Sequence, residues 1–400
     1  MSWITVRADE FCESVRDGTH DTPKQMATGY KLVTGKHIKN GQIDPSDAYY
    51  ISEKDYIKIN ERSLVEQWDV LMSMIGTVGE VAVVKDHPNY AIKNVALFKC
   101  AGSELKGKWL AYYLRSSDAQ GHMSGNQKGS SQQFLSLKQL RSLPVPLADE
   151  LYMQKVVDIL SAYDDLIENN QKQIKLLEEA AQRLYKEWFV DLRFPGHETT
   201  PITDGIPQGW EQCRLDEVIT FNPKVALNKN RVKQSVPMAA LSTTSMVLNA
   251  DEFTSTLSNS GSKFQNGDTL LARITPCLEN GKTAFVSGIE SDEGAVGSTE
   301  YIVMRSNGLC PHMVYLLART EEFRQEAINS MTGSDGRQRT QVDKLKVLPY
   351  LKPTADIIAL FENLVAPLFA QIHTKNRQNA ELKQARDCLL PKLMNGEIEV

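Results

Sequence analysis

The sequence predicts an α+β protein: two similar α/β heads separated by two long helices that form an antiparallel coiled coil. Two observations carry that class. Residues 137–189 align without a gap onto 342–394 at a 205-residue offset, which pairs Leu143-Pro144 with Leu348-Pro349 and Ile167 with Ile372. Each copy also holds a narrow apolar stripe of helical period, following a segment rich in turn residues and short β-branched runs. The expected order is a first head over 1–148, a first long helix over 149–191, a linker over 192–210, a second head over 211–353 and a second long helix over 354–400.

The stripes set the helices. Val156, Leu160, Tyr163, Ile167, Asn170, Ile174, Leu177, Ala181, Leu184 and Trp188 step alternately by four and three, the seam of heptad a and d positions. Their counterparts are Phe361, Val365, Leu368, Ile372, Lys375, Asn379, Leu382, Arg386, Leu389 and Leu393. Two such stripes on one chain bury each other most simply. Because a head precedes each helix, a two-fold-like placement of the copies makes the helices antiparallel. Asn170 interrupts one stripe and Lys375 and Asn379 the other, so a polar layer can meet a polar layer and fix the register. Ordinary amphipathic surface helices are the plainer alternative.

Within the first head, DGTHDTPK and GYKLVTGKHIKNGQID separate short β-branched runs, and VLMSMIGTVGEVAVV and AIKNVALFKC are the clearest strands. Leu143-Pro144-Val145-Pro146 closes the head, because two closely spaced prolines biased to extended geometry cannot enter the helix that follows. RFPGHETTPITDGIPQGW reads as the linker. In the second head NGDTLLARITPCLENGKTAFV matches WDVLMSMIGTVGEVAVV of the first, with Asp69 against Asp268 and Ile75 against Ile274. The frame repeats while the loop residues differ.

Composition narrows the function. With 41% apolar and 24% charged residues over 400 positions, the chain reads as a well-packed globular protein of two or three domains. Six scattered cysteines without a CxxC pair indicate neither a disulfide framework nor a zinc site. The start lacks the blocks of a signal peptide, and no apolar run of 18 residues is apparent, so a cytoplasmic protein without membrane contact is expected. A net charge of −5 means that a polyanion must be held by local patches. GSELKGKW fails as a P-loop because Trp109 stands where a magnesium-binding hydroxyl belongs, and NGKT has Pro276 in place of the first glycine. The seven histidines form no HExxH or close pair. No catalytic residue, metal or cofactor is therefore assigned to this chain.

The loops offer hydrogen-bond donors instead. Lys24, Lys31, Lys36 and Lys39 crowd one stretch, and Gln127, Lys128, Gln132 and Gln133 another. In the second head Arg273 and Lys282 flank a turn, and GSDGRQR supplies Arg337, Gln338 and Arg339. Arginine is bidentate to guanine, glutamine to adenine, and lysine or arginine neutralises phosphate. Such loops suit DNA; solvated surface loops are the plain alternative.

At this point the chain resembles the specificity subunits of type I restriction-modification systems over its whole length. The resemblance rests on DGTHDTP, SMIGTVG, LYKEWFVD, ARITPCLENGK, GSTE and GSDGRQR. It departs at Gln67-Trp68-Asp69, where a Gly-Asp is usual, and at DELYMQK, where a Glu-Gln commonly opens the first helix. The resemblance implies two target recognition domains, each reading half of a split double-stranded DNA sequence. It implies docking of two methyltransferase subunits that bind S-adenosylmethionine, joined by two restriction-translocase subunits that use ATP and magnesium. Carried onto this sequence, the DNA-facing candidates are Thr19, His20, Lys36, Ser73, Thr77, Lys128, Gln132 and Gln133 in the first head. In the second they are Arg273, Thr275, Lys282, Thr299, Arg337, Gln338 and Arg339. Several of these fit equally well as turn formers, and Arg273 fits a pair with Glu279. The expected helix and partner interface comprises Leu160, Ile167, Asn170, Ile174, Leu177, Leu184 and Trp188 with Val365, Ile372, Asn379, Leu382 and Leu389. A stand-alone DNA methyltransferase or nuclease with an unrecognised site is the alternative function, and a coiled-coil adaptor that binds only proteins is a third.

Overall fold

The duplication read from sequence returns as two copies of one strand arrangement. The computed structural model describes residues 4–76, 78–124, 134–334 and 336–400. They divide into two units, Met1–Leu166 with Glu381–Val400, and Ile167–Ala380, so each unit holds one head and a stretch of both long helices.

The first head contains β1 (Ile4–Arg7), β2 (Ser14–Asp17), β3 (Tyr30–Val33), β4 (Tyr50–Ile51), helix α1 (Glu53–Ser63), β5 (Val70–Ser73), β6 (Val81–Val83), β7 (Tyr90–Ile92), β8 (Val95–Lys99), α2 (Glu104–Arg115) and β9 (Pro144–Leu147). The long helix α3 (Glu150–Tyr185) follows. In the second head come β10 (Glu211–Arg214), β11 (Ile219–Phe221), β12 (Lys233–Val236), β13 (Thr254–Thr256), β14 (Ser262–Phe264), β15 (Thr269–Ala272), β16 (Thr283–Phe285), β17 (Ala295–Gly297), β18 (Tyr301–Ser306), α4 (Pro311–Ala318), α5 (Glu321–Asn329) and β19 (Pro349–Lys352). The second long helix is α6 (Ala355–Met394).

Strand order β2-β8-β5-β6 in one head equals β11-β18-β15-β16 in the other, antiparallel throughout. A second sheet in each head contains one parallel pair, β3 with β7 and β12 with β17. A ribbon of β1 with β9, or β10 with β19, joins the start of each head to its exit.

The central strands read as continuous apolar runs because both faces are covered. Along β8, Ala96 and Phe98 enter the cluster that contains Trp109, Leu110 and Val156, while Val95 and Leu97 enter the one with Val33 and Ile38. Along β18, Ile302 and Met304 face Phe361 and Val365, and Tyr301 and Val303 face Val236 and Phe264.

The aligned aspartates do the same structural task twice. Asp69 is fully buried, takes a 2.7 Å hydrogen bond from Lys99 Nζ, and closes the turn before β5 by accepting from Glu66 N at 2.8 Å. Asp268 accepts two 2.7 Å bonds from the Arg305 guanidinium and one from Gln265 N at 2.8 Å. The cation differs, and the turn is kept.

Helix α3 starts where the prolines end, with Asp149 Oδ1 accepting from Tyr152 N at 3.0 Å as its cap. It ends in a π-helical turn, Lys186–Val190. Helix α6 stops at Gly396, whose φ of +74° suits the left-handed residue that ends a helix. Each unit shows the two helices antiparallel. In the first, the Tyr152 hydroxyl lies 3.0 Å from Leu393 O, and Arg386 donates to Asp164 at 2.6 Å. In the second, Asn170 Nδ2 donates to Asn379 Oδ1 at 3.0 Å, and Trp188 meets Phe361 at 5.6 Å between ring centroids. The polar layer expected from sequence is thus a direct amide pair, with Asn379 itself buried.

Most seam positions are buried: Leu160, Ile167, Ile174, Trp188, Val365 and Ile372 belong to the cores. Leu177, Leu184, Leu382 and Leu389 are half-buried. The π turn adds Tyr185 to the buried set, and Phe189 packs beside it against Phe361.

One expectation changes. The segment 192–210 is folded: Phe194 and Trp210 are buried with rings 4.8 Å apart, and Ile202–Thr203 pairs with Ile206–Pro207. Helix α6 is long and apolar enough to cross a membrane by length and composition, although Asp356 and Glu362 interrupt its apolar run. Phe361, Val365, Phe369 and Ile372 on that helix are buried in the second unit's core, which accounts for part of its apolar character.

Candidate nucleic-acid interface

Strand register decides where the motif loops emerge. Asp17 at the end of β2 lies opposite Ala96, and Ser73 at the end of β5 opposite Val95, so DGTH and SMIGTVG leave the sheet at the same edge. The second head repeats this: β11 runs into Asn222-Pro223-Lys224 and β15 into ARITP beside the start of β18, just after GSTE. Each head therefore presents one rim built from corresponding strand ends.

On the first rim most polar atoms are occupied. Asp17 is buried, is paired with Arg62, and lies 3.0 Å from His20 Nε2, while His20 Nδ1 lies 2.8 Å from Asn94 Oδ1. Gly18 is required there, since a Cβ would come 2.3 Å from Ile92 O. Thr19 Oγ1 accepts from Asp21 N at 3.1 Å. Ser73 is 1% exposed and its Oγ accepts from Glu80 N at 2.9 Å; its place is in the core, not on a DNA surface. Lys36 bonds to Asp47 at 3.0 Å, and that bond holds the Asp47 carboxyl below its usual range. His20 and Lys36 still show about three-fifths of their side chains to solvent. Thr77, Lys128, Gln132 and Gln133 lie outside the described residues.

The second rim encloses an open cavity of about 550 Å³ lined by Asn222, Lys224, Lys263, Arg273 and Thr299 among others. Arg273 and Thr299 were expected there; Asn222, Lys224 and Lys263 were not, although FNPK directly after a strand is the counterpart of DGTH. Arg273 donates to Thr340 O at 3.4 Å and not to Glu279, and its Nε is buried without a partner. Thr275 N donates to Gln338 O at 3.1 Å, which fastens ARITP to GRQR.

Two expected DNA donors are engaged within the chain. Lys282 Nζ donates to Met238 O at 2.8 Å. Arg339 grips Glu300 with two bonds, Nη2 to Oε1 at 2.7 Å and Nε to Oε2 at 2.9 Å, and the guanidinium holds the Glu300 carboxyl below its usual range. Sequence spacing hides both contacts, because each joins residues about 40 positions apart. Arg337 stands exposed in the same loop, with Gln338 half-buried beside it.

Each head is also fixed to its own stretch of the long helices. In the first unit Asp164 of α3 accepts from Tyr112 at 3.0 Å, Arg115 at 3.1 Å and Arg386 at 2.6 Å. Burial pushes this carboxyl up, but the two guanidiniums more than offset it and leave it below the usual range. In the second unit Glu178 accepts from Ser245 Oγ at 2.7 Å and Met246 N at 2.9 Å.

Repeated heads with a common core, divergent cation-bearing rims and paired helices define a two-headed recognition protein. Comparison with known proteins makes the class specific. Residues 2–179 match the family model for the type I restriction modification DNA specificity domain. The MjaIX specificity subunit of Methanocaldococcus jannaschii is 25% identical over 405 residues, spanning 95% of this chain and 86% of that protein. The EcoEI specificity subunit of Escherichia coli is 33% identical over 139 residues, 34% of this chain and 23% of its own length. The crystal structure of the type I restriction-modification S subunit from M. genitalium aligns with a TM-score of 0.55 over 98% of this chain and 96% of that one, at 13% identity, a likeness of fold. Over nearly its whole length the chain is thus similar to specificity subunits of type I restriction-modification systems.

Proposed function

We propose that this chain recognises DNA for a type I restriction-modification complex, each head reading one half of a two-part target, and performs no catalysis itself. The observation that carries this reading is the paired rim: two heads keep the same strand order and buried aspartate turn, yet differ at the loops. A catalytic duplication keeps or loses its reactive groups, whereas a duplicated reader must change its edge. Two methyltransferase subunits dock on the long helices, bringing S-adenosylmethionine, and two restriction subunits bring ATP and magnesium. About half of each of the Leu166, Leu176, Leu360 and Leu364 side chains stays exposed on these helices, and such apolar surface suits a partner.

Exchange of residues 1–148 for the head of a relative tests modular reading, with methylation-sensitive sequencing of DNA from cells that carry the complex. One half of the modified sequence is expected to change and the other to stay. A change in both halves, or in neither, would contradict the reading. Methyl transfer by the purified chain alone would favour a stand-alone enzyme.

The arginines of the second rim separate by their partners. Arg337→Ala is expected to weaken DNA binding by the assembled complex by about 1–3 kcal/mol with relaxed preference at one base pair, if it reads a base edge. Arg339→Ala removes the two-bond clamp on Glu300 as well, so loop order changes together with affinity. Equal affinity and salt dependence in the Arg337 variant and the parent complex would return that residue to solvent.

A further inference from the structure

A side-chain cluster in the second unit lies outside the residues that line the rim cavity. Cys310 caps α4 with extended backbone, φ −86° and ψ 152°, and His312 follows in the first turn. Glu362 faces both from α6. One donor atom from each of the three, a sulfur, a ring nitrogen and a carboxylate oxygen, lies within 4.8 Å of the others. Cys310 is 6% exposed, and the His312 and Glu362 side chains are 13% and 33% exposed. The imidazole is held in place. It stacks on Phe285 at 5.1 Å and meets the edge of Phe369 at 4.4 Å, which keeps Nδ1 2.8 Å from Glu362 Oε2.

We propose that Cys310, His312 and Glu362 form a site for one divalent transition-metal ion of the zinc type, fastening α4 to α6. The donor set selects the ion: thiolate with imidazole and carboxylate suits zinc, whereas magnesium and calcium take oxygen ligands alone. The dimensions are close to what zinc needs. Bonds of about 2.0–2.3 Å in a tetrahedron place donor atoms roughly 3.3–3.6 Å apart, so donors now within 4.8 Å of one another draw in by about 1 Å at most and the 2.8 Å nitrogen–oxygen gap opens by about half an ångström. Rotation of the partly exposed Glu362 carboxyl supplies that movement, and a water completes the fourth position.

Without the ion, Glu362 binds the His312 ring and the thiol, and burial keeps the thiol protonated. Metal entry exchanges the thiol proton for a metal–sulfur bond and releases the proton to solvent. Sequence spacing conceals the site: Cys310 and His312 are two residues apart, but the third donor lies 50 residues beyond His312.

The test is a titration of the full-length chain, freed of metal by a chelator, with cobalt(II). The expected result is one equivalent bound with thiolate-to-cobalt charge-transfer absorption, removal of that absorption by added zinc, release of one proton per ion, and a higher Tm with zinc. Cys310→Ser is expected to abolish the absorption while the far-ultraviolet circular dichroism is unchanged. Glu362→Gln is expected to retain the band and weaken binding by about tenfold or more. Absence of the band from the parent chain, or its survival in Cys310→Ser, overturns the proposal. An equal Tm with and without zinc overturns its fastening role.

Discussion

Replacing Asp268 with alanine is expected to destabilise the second unit by about 3–5 kcal/mol, the usual result of leaving one member of a buried ion pair alone. Asp268 is 1% exposed and Arg305 26%, so the guanidinium loses both strong bonds while water reaches it only in part. The variant also frees the Gln265 amide that closes the turn before β15. Chemical denaturation followed by tryptophan emission measures the loss. The double change Asp268→Leu with Arg305→Met is expected to recover most of the stability, since apolar residues of similar volume often replace such a pair without penalty. A loss below about 1 kcal/mol in the single variant would show that the aspartate is dispensable to the turn.

Phe361→Ala is expected to cost about 3–5 kcal/mol by opening a cavity where the long helices and the second head meet. The ring is fully buried and sits 4.8 Å from Phe189, 5.6 Å from Trp188 and 6.1 Å from Tyr185 between centroids. Three rings depend on it. Thermal unfolding gives the size of the effect, and a change in near-ultraviolet circular dichroism reports the loosened aromatic packing. Leu364→Ala, one turn on and about half exposed, is the control and is expected to stay within about 0.5 kcal/mol. Equal effects of the two substitutions would mean that the seam does not run where the heptads place it.

The long-range frame was legible because it is written as periodicity. A repeat of seven residues survives without knowledge of any contact, and Asn170 announced a polar layer that Asn379 fulfils at 3.0 Å. Asp69 and Asp268 aligned by sequence and recur as the same buried turn. Individual donors were not legible, since the use of a side chain depends on what the fold brings opposite it. Lys282 is spent on Met238 O, Arg339 on Glu300 and Ser73 on Glu80 N. The π turn that packs Phe189 on Phe361 leaves no mark in a stripe of threes and fours. Lys224 and Lys263 were missed because their company is assembled from four separate stretches of chain.

The first unit draws on both Met1–Leu166 and Glu381–Val400. Leu390, Leu393 and Met394 fill the same core as Val156, Leu160 and Trp109, and Tyr152 OH lies 2.8 Å from Ile398 O. On the ribosome, the head made first must therefore wait with part of its apolar surface uncovered while more than 200 further residues are translated. Closing so long a loop is slow compared with local helix formation, which places completion of the first unit after Glu381–Val400 has been made. The second unit, Ile167–Ala380, is continuous in sequence and is free to fold earlier. The first unit is thus completed after the second, and the interval before the second long helix arrives is when its uncovered apolar surface is most open to aggregation and to chaperones.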